Sequence, residues 1–124
     1  MAIDVDLTLK DTMNIDGAVA AALVDYGSGM ALGGVSTSKA LDIAVAAAGN
    51  TEVVKAKIRT MELLGLNDAI EDILITLGRQ YHLLRPIHTR AGAGLFLYLA
   101  LDSSRGNLAL ARRHLGTVAR NLEQ

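Results

Sequence analysis

The sequence lacks several residue types, and each absence narrows its chemistry. None of its 124 residues is cysteine, so the chain can form no disulfide, no zinc–thiolate site and no thiolate nucleophile. It has no tryptophan, one phenylalanine and three tyrosines, so its core must be built from Leu, Ile, Val and Ala. Its longest apolar runs, at residues 18–24 and 95–101, are too short to cross a bilayer.

The charge balance is also informative because it favours neither sign. Twelve basic and thirteen acidic residues give a formal net charge of −1, which argues against a dedicated nucleic-acid-binding protein. No basic segment followed by an apolar run stands at the N-terminus, so no signal peptide is predicted. The length predicts one domain over residues 1–124. We therefore expect a soluble cytoplasmic protein with no nucleic-acid partner and no membrane insertion.

Hydrophobic periodicity predicts three helices and five strands. The predicted helices cover residues 4–14, 38–64 and 105–122, and the predicted strands cover residues 18–25, 30–35, 70–77, 81–88 and 95–101. Tight connections within each strand group imply antiparallel pairing. The expected fold class is therefore α+β, with one five-stranded antiparallel sheet and the order α-β-β-α-β-β-β-α.

Composition also predicts where strands and helices lie and end. The strands at residues 18–25 and 95–101 are apolar on both faces, so they should be central, which leaves residues 30–35 and 70–77 as edges. Pro86 cannot donate to a strand ladder, so we expect a bulge or an early strand end there. Helix N-caps are expected from Asp4 or Asp6, from residues 36–38 and from residues 102–104.

The second predicted helix has two apolar stripes, whereas a surface helix needs one. At about 100° per residue, the first stripe contains Ala40, Ile43, Ala44, Ala47, Val54, Ile58 and Met61. The roughly opposite stripe contains Leu41, Val45, Ala48, Gly49, Ala56 and Leu63, interrupted by Glu52 and Arg59. A short chain has little surface left to cover the second stripe. The surplus therefore predicts contact with a second protein molecule, in which Glu52 and Arg59 could pair across an antiparallel dimer.

Candidates for catalysis or metal binding are few. His82 and His88 would share a face of a continuous strand, but no third metal ligand has suitable spacing. The glycines at residues 27–29 lack the patterns of phosphate-binding loops and lead into a strand, so a hairpin turn is the better interpretation. We predict no catalytic, cofactor-binding or metal-binding residue, and no enzyme activity.

Arginines form two sets whose role stays open. Arg105, Arg112, Arg113 and Arg120 recur at seven-residue steps on the last predicted helix. They form either a solvated helix face or a patch for an acidic partner surface. Arg79, Arg85 and Arg90, near the fourth strand, are either rim charges of an interface or simple surface residues.

Residues 15–32, IDGAVAAALVDYGSGMAL, resemble the first hairpin of the Roadblock (dynein light-chain) family. An apolar strand beginning near a Gly reaches Asp25, turns through Gly27 and returns, and the similarity continues through the Ala-rich helix, the three-strand meander and the last helix. The resemblance implies a Roadblock/profilin-like sandwich, with the second helix on one sheet face and the terminal helices on the other. It implies no catalytic signature.

The resemblance also implies a homodimer in which the second helices pair antiparallel and the third strands join. The interface residues expected from it are Leu41, Val45, Ala48, Gly49, Glu52, Ala56, Arg59, Leu63, Ile70, Asp72 and Leu74. Family members serve small Ras-like GTPases as activators, scaffolds or regulators, and they serve dynein as a light chain. Bacterial members usually act with a small GTPase of the gliding-polarity type.

Two functions follow from these observations. The first is a non-enzymatic regulatory or scaffold homodimer that binds a small Ras-like GTPase in a signalling or polarity system. The alternative is a small-molecule sensor of profilin-like or PAS-like fold, for which His82, His88 and Tyr98 are the candidate polar groups. The alternative requires a pocket in which polar groups converge.

Overall fold

Eight elements form in the predicted order in the computed structural model, which describes residues 3–122. The helices are α1 (Val5–Met13), α2 (Ile43–Leu63) and α3 (Leu108–Asn121), and the strands are β1 (Ala18–Asp25), β2 (Met30–Ser36), β3 (Ile73–Thr76), β4 (Gln80–Pro86) and β5 (Leu95–Asp102). The predicted α+β class and element order are confirmed.

The five strands form one antiparallel sheet with the order β2-β1-β5-β4-β3. The two strands with apolar side chains on both faces, β1 and β5, lie inside, and β2 and β3 are the edges, as their composition predicts. Pro86 is the last residue of β4 and pairs with Phe96. The predicted early end of this strand at the proline is therefore confirmed, since Pro86 has no N–H to continue a ladder.

Helices cover both faces of the sheet, and each face has its own core. On one face α1 and α3 pack on the sheet through Leu23, Leu83, Leu97 and Leu115, among others. On the other face α2 packs through Ala47 and Val54 onto Val24, Phe96 and Tyr98. This is the helix–sheet–helix sandwich that the resemblance implied.

The first helix and the first hairpin begin and turn where the sequence indicates. Asp4 is the N-cap of α1, and its Oδ1 accepts a hydrogen bond of 3.0 Å from the Leu7 N–H. Residues 26–29 form the predicted turn, in which Gly29 has φ +75° and its N–H donates to the Asp25 carbonyl at 2.8 Å. The Ser28 hydroxyl donates to Asp25 Oδ2 at 2.7 Å and so lowers the pKa of Asp25.

The predicted starts of the other two helices are wrong. Helix α2 begins at Ile43 with Asp42 as its N-cap, because the Ser36 hydroxyl donates to the Ser38 carbonyl in a local turn. Helix α3 begins at Leu108 with Asn107 as its N-cap. Asp102 instead accepts from the N–H and hydroxyl of Ser104. In both places a polar side chain stabilises a turn before the helix rather than the helix itself.

No helix within residues 3–122 is long and apolar enough to span a membrane.

Candidate functional site

The outward face of α2 is an apolar stripe with no covering element within the described chain. Val45 and Leu63 are 69% and 82% exposed, and Ala48, Gly49 and Ala56 lie exposed between them. The opposite face carries the buried Ala47, Thr51 and Val54, which lie against the sheet. The stripe is thus available for a contact outside the chain.

Side-chain size changes along this stripe. At its N-terminal half, an added Cβ on Gly49 would meet nothing within 4 Å, and the neighbouring Ala48 is equally small. At its C-terminal end, Leu63, Leu64 and Leu66 are all more than half exposed. The stripe therefore presents a shallow depression at one end and bulky leucines at the other.

The C-terminal leucines are held by a well-formed helix end. Gly65 has φ +70°, its N–H donates to the Glu62 carbonyl at 3.1 Å, and the Leu66 N–H donates to the Met61 carbonyl at 2.9 Å. This pair of bonds is a Schellman motif, which satisfies the last carbonyls of the helix. The motif fixes the direction in which Leu66 leaves α2.

Glu52 and Arg59 are the charged residues of the stripe, and both are exposed. Neither forms an ion pair with another residue in the range 3–122. Seven residues separate them, which is about two helical turns. Each charge is therefore free to meet an opposite charge on another molecule.

The edge strand β3 lies on the same side of the molecule. Among the described strands it pairs only with β4, and its register places Ile73 opposite Leu84, which belongs to the α2-side core. Ile73 and Ile75 thus face the α2 side, where both are half-buried, since α2 packs chiefly over β1 and β2. An open cleft of about 470 Å³ separates α2 from this edge and is lined by Val53, Lys57, Met61, Leu66, Asp68, Ala69, Ile70, Asp72 and Ile73.

Four of the predicted interface residues lie off the exposed face of α2. Leu41 precedes α2 and packs, half-buried, against the core beneath it. Ile70 and Asp72 precede β3, which is shorter than predicted. Leu74 is on β3 but pairs with Leu83 of the α3-side core, so it faces away from α2. Val45, Ala48, Gly49, Glu52, Ala56, Arg59 and Leu63 do lie together on the exposed face of α2.

The α2 side of β3 carries Ile73 and Ile75, which the sequence does not single out, whereas Leu74 faces the α3 side. The alternation of strand residues groups Ile73 with Ile75 and Asp72 with Leu74, but it leaves open which pair faces α2. The pairing of β3 with β4 determines that Ile73 and Ile75 face α2. The carboxylate of Asp72 lies on the α3 side. There its carboxylate accepts two hydrogen bonds from Arg112, at 2.8 and 3.1 Å, and they raise the pKa of Arg112.

The histidines do not form a common site. His82 packs edge-to-face on Tyr98, with 5.5 Å between ring centroids, whereas His88 follows the end of β4 and contacts the Ile70 carbonyl at 2.9 Å. Within residues 3–122, no three His, Asp or Glu side chains are placed to hold a metal ion. The two histidines of β4 and the loop after it therefore lie in separate environments.

The layers and strand order define a Roadblock/LC7 fold. Over 95% of this chain and 93% of the other, the structure is similar to a Roadblock/LC7 domain from Streptomyces avermitilis, with a TM-score of 0.77 and 13% identity. It is also similar to a structure described as MglB with a tetrameric arrangement (TM-score 0.80, 20% identity, 96% of this chain and 85% of that one). MglB of Myxococcus xanthus gives a TM-score of 0.76 at 18% identity, covering 96% and 81% of the two chains. No protein-family model and no curated protein sequence matches the chain.

Proposed function

We propose that the protein is a non-enzymatic regulatory or scaffold homodimer that binds a small Ras-like GTPase. The observation that carries the dimer is the exposed apolar stripe of α2, which lies beside the half-covered edge strand β3. The partner class rests on the Roadblock/LC7 fold and its similarity to MglB structures, one of which is described as tetrameric.

The residues of the stripe support one particular register. In an antiparallel pair of α2 helices, Glu52 of one copy can face Arg59 of the other, and the two-fold axis then passes near Ala56. The same register places Leu63, four residues after Arg59, over Ala48 and Gly49 of the second copy, which precede its Glu52. A bulky side chain then fills the depression left by small ones, as knobs fill holes in paired helices.

The sheet edge supports the same arrangement. A second β3 strand, antiparallel to the first, would pair the outer backbone groups that β3 leaves without a strand partner. The second α2 would then lie over Ile73 and Ile75. This cover would bury the apolar cleft beside Val53 and Met61 and so add to the driving force for association.

The dimer can be tested by exchanging the two charges of the stripe. Glu52→Arg alone or Arg59→Glu alone puts like charges together, so each should weaken dimerisation at least about tenfold. The double exchange restores opposite charges and should restore dimerisation. Sedimentation velocity over a range of concentrations measures the dissociation constants. Asp16→Arg, which reverses an exposed charge away from α2, is the control.

Two outcomes would contradict the dimer and its register. If the wild-type protein stays monomeric at micromolar concentration, the proposed dimer is wrong. Failure of the double exchange to restore association removes the Glu52–Arg59 register.

The GTPase partner needs a separate measurement. The purified protein should bind one of the small Ras-like GTPases of its own organism, and calorimetry with GDP-loaded and GTP-analogue-loaded forms would show which state it prefers. Phosphate release in the presence of the protein distinguishes an activator from a scaffold. If none of these GTPases binds in either state, the partner assignment fails while the dimer can still stand.

A further inference from the structure

Four arginines meet on the α3 side of the molecule, away from the α2 stripe. Arg85 comes from β4, and Arg112, Arg113 and Arg120 come from α3. Together with Glu71 and Asp72 they line an open cleft of about 280 Å³ beside Gly116. Four positive and two negative side chains leave this cleft with a net positive charge.

Two of the guanidinium groups converge on the backbone of α3. Gly116 is buried in the middle of the helix, where glycine is less favourable than alanine. A Cβ at this position would lie 3.4 Å from Nη2 of Arg85 and 3.4 Å from Nη1 of Arg120. Both guanidiniums therefore lie at van der Waals distance from the same point of the helix.

These two guanidiniums have few acceptors among the described residues. Arg112 forms a bidentate pair with Asp72, whereas the contact of Arg85 with Glu71 is 3.7 Å long, and Glu71 is 77% exposed. Arg120 Nη2 donates to the Thr117 hydroxyl at 3.3 Å. The side chain of Arg85 is only 15% exposed, and a guanidinium has five N–H donors to satisfy.

We propose that this cleft binds a phosphate monoester group between Arg85 and Arg120. Guanidinium forks match phosphate oxygens in bidentate hydrogen bonds. A phosphate monoester carries about −1.5 to −2 charges at pH 7, which balances the surplus of two positive side chains, whereas one carboxylate would balance only half of it. The group can belong to a phosphorylated protein segment or to a free phosphate compound. The site uses no residue of the α2 stripe and does not depend on the proposed function.

The test is a titration of the ¹⁵N-labelled protein with inorganic phosphate at constant ionic strength, followed by amide chemical shifts. Shifts should be confined to residues around Arg85 and Gly116, with saturable millimolar binding. Arg120→Gln, at an exposed position, should weaken binding about tenfold. Arg85→Lys keeps the charge but loses the fork, and it should weaken binding by a similar factor. Arg90→Gln, on an exposed loop, is the matched control and should change nothing.

Two further measurements identify the charge of the bound phosphate group and the kind of molecule that carries it. Binding of a phosphoserine peptide should weaken as the pH falls through about 6, where the phosphoserine group loses its second charge. A phosphoserine peptide that binds at least about tenfold more tightly than both inorganic phosphate and its unphosphorylated form identifies a protein segment as the source; equal affinity for inorganic phosphate identifies a free phosphate compound. Shifts scattered over all basic residues, equal loss in Arg90→Gln, or no saturable binding would overturn the site.

Discussion

His82 is a half-buried histidine whose ring has two defined neighbours. It forms a T-shaped pair with the ring of Tyr98, and its Nε2 donates to Oε1 of Gln80 at 2.9 Å. Burial lowers the pKa of His82 below its ordinary value of 6.5 and raises the pKa of Tyr98 above 10.0. Both rings are therefore neutral at pH 7, and protonating His82 would place a charge beside an apolar core.

This lowered pKa predicts a dependence of stability on pH. The unfolded chain takes up the proton at about pH 6.5, whereas the folded chain takes it up only at lower pH, so the free energy of unfolding should fall as the pH drops below 6.5 toward the folded pKa. Urea unfolding of the wild type and His82→Gln at pH 5 to 8 measures it. The substitution should flatten the slope, and His114→Gln, at an exposed position, is the control. An unchanged slope in His82→Gln would assign the effect to other groups.

Helix ends show how local turns compete for capping groups. Asp42 and Asn107 each stand directly before a helix, and their side chains accept from the N–H three residues on, at 3.2 and 3.0 Å. The serines expected to cap were equally suitable by residue type, but Ser36 and Ser104 bond within the preceding turns. Residue type alone does not reveal that competition, because it depends on where the turn hydrogen bonds form.

The observed cap of α3 makes a direct prediction. Asn107→Ala removes the acceptor for the Leu110 N–H and should lower the free energy of unfolding by about 1 kcal/mol. Ser103→Ala, within the cap segment that the sequence suggested, should change it by less than about 0.5 kcal/mol. Chemical denaturation of both variants checks the pair. Equal losses of unfolding free energy in the two variants would show that residues 102–104 contribute to the cap as much as Asn107 does.

The sequence predicts the elements better than it predicts their ends or the site. Element type and strand order follow from strong patterns, such as the fully apolar β1 and β5. The periodicity predicts that α2 starts five residues too early, which puts Leu41 on the exposed stripe, whereas Leu41 precedes the helix and packs against the core. The face of β3 could not be chosen because it depends on pairing with β4, a long-range contact with no local signal.

At the scale of the whole molecule, helices α1 and α2 pack closely against opposite faces of the edge strand β2. A Cβ on Gly33 would lie 2.7 Å from Cγ1 of Val5 in α1, and a Cβ on Gly34 would lie 2.5 Å from Cγ2 of Ile43 in α2. Real Cβ atoms do not approach so closely, so both layers reach this strand because it carries hydrogens at these two positions. The glycine pair thus permits the close packing.

Gly34→Ala should therefore force α2 away from the sheet, at a cost of about 1–3 kcal/mol in the free energy of unfolding. In an Ile43→Ala background the contacting methyl is gone, so the added cost of Gly34→Ala should largely disappear. Urea denaturation of the four proteins gives the coupling energy. Gly78→Ala, where a Cβ meets nothing within 4 Å, is the control. Strict additivity of the two substitutions would show that the layers do not meet at Gly34.

Strand β2 also limits the number of copies that can associate by joining their sheets edge to edge. Its pairing with β1 is interrupted by a register shift at Leu23 and Val24, and such irregularities discourage further strand addition at an edge. If two copies join through β3, each copy uses the edge of its sheet that has regular pairing. The two β3 strands are then related by a two-fold axis, and the strands left at the outer edges of the joined sheet are the two irregular β2 strands. Growth would then stop at a closed pair rather than continue as a fibre. A chain rich in apolar residues could in this way be concentrated in a cell without polymerising through its sheet.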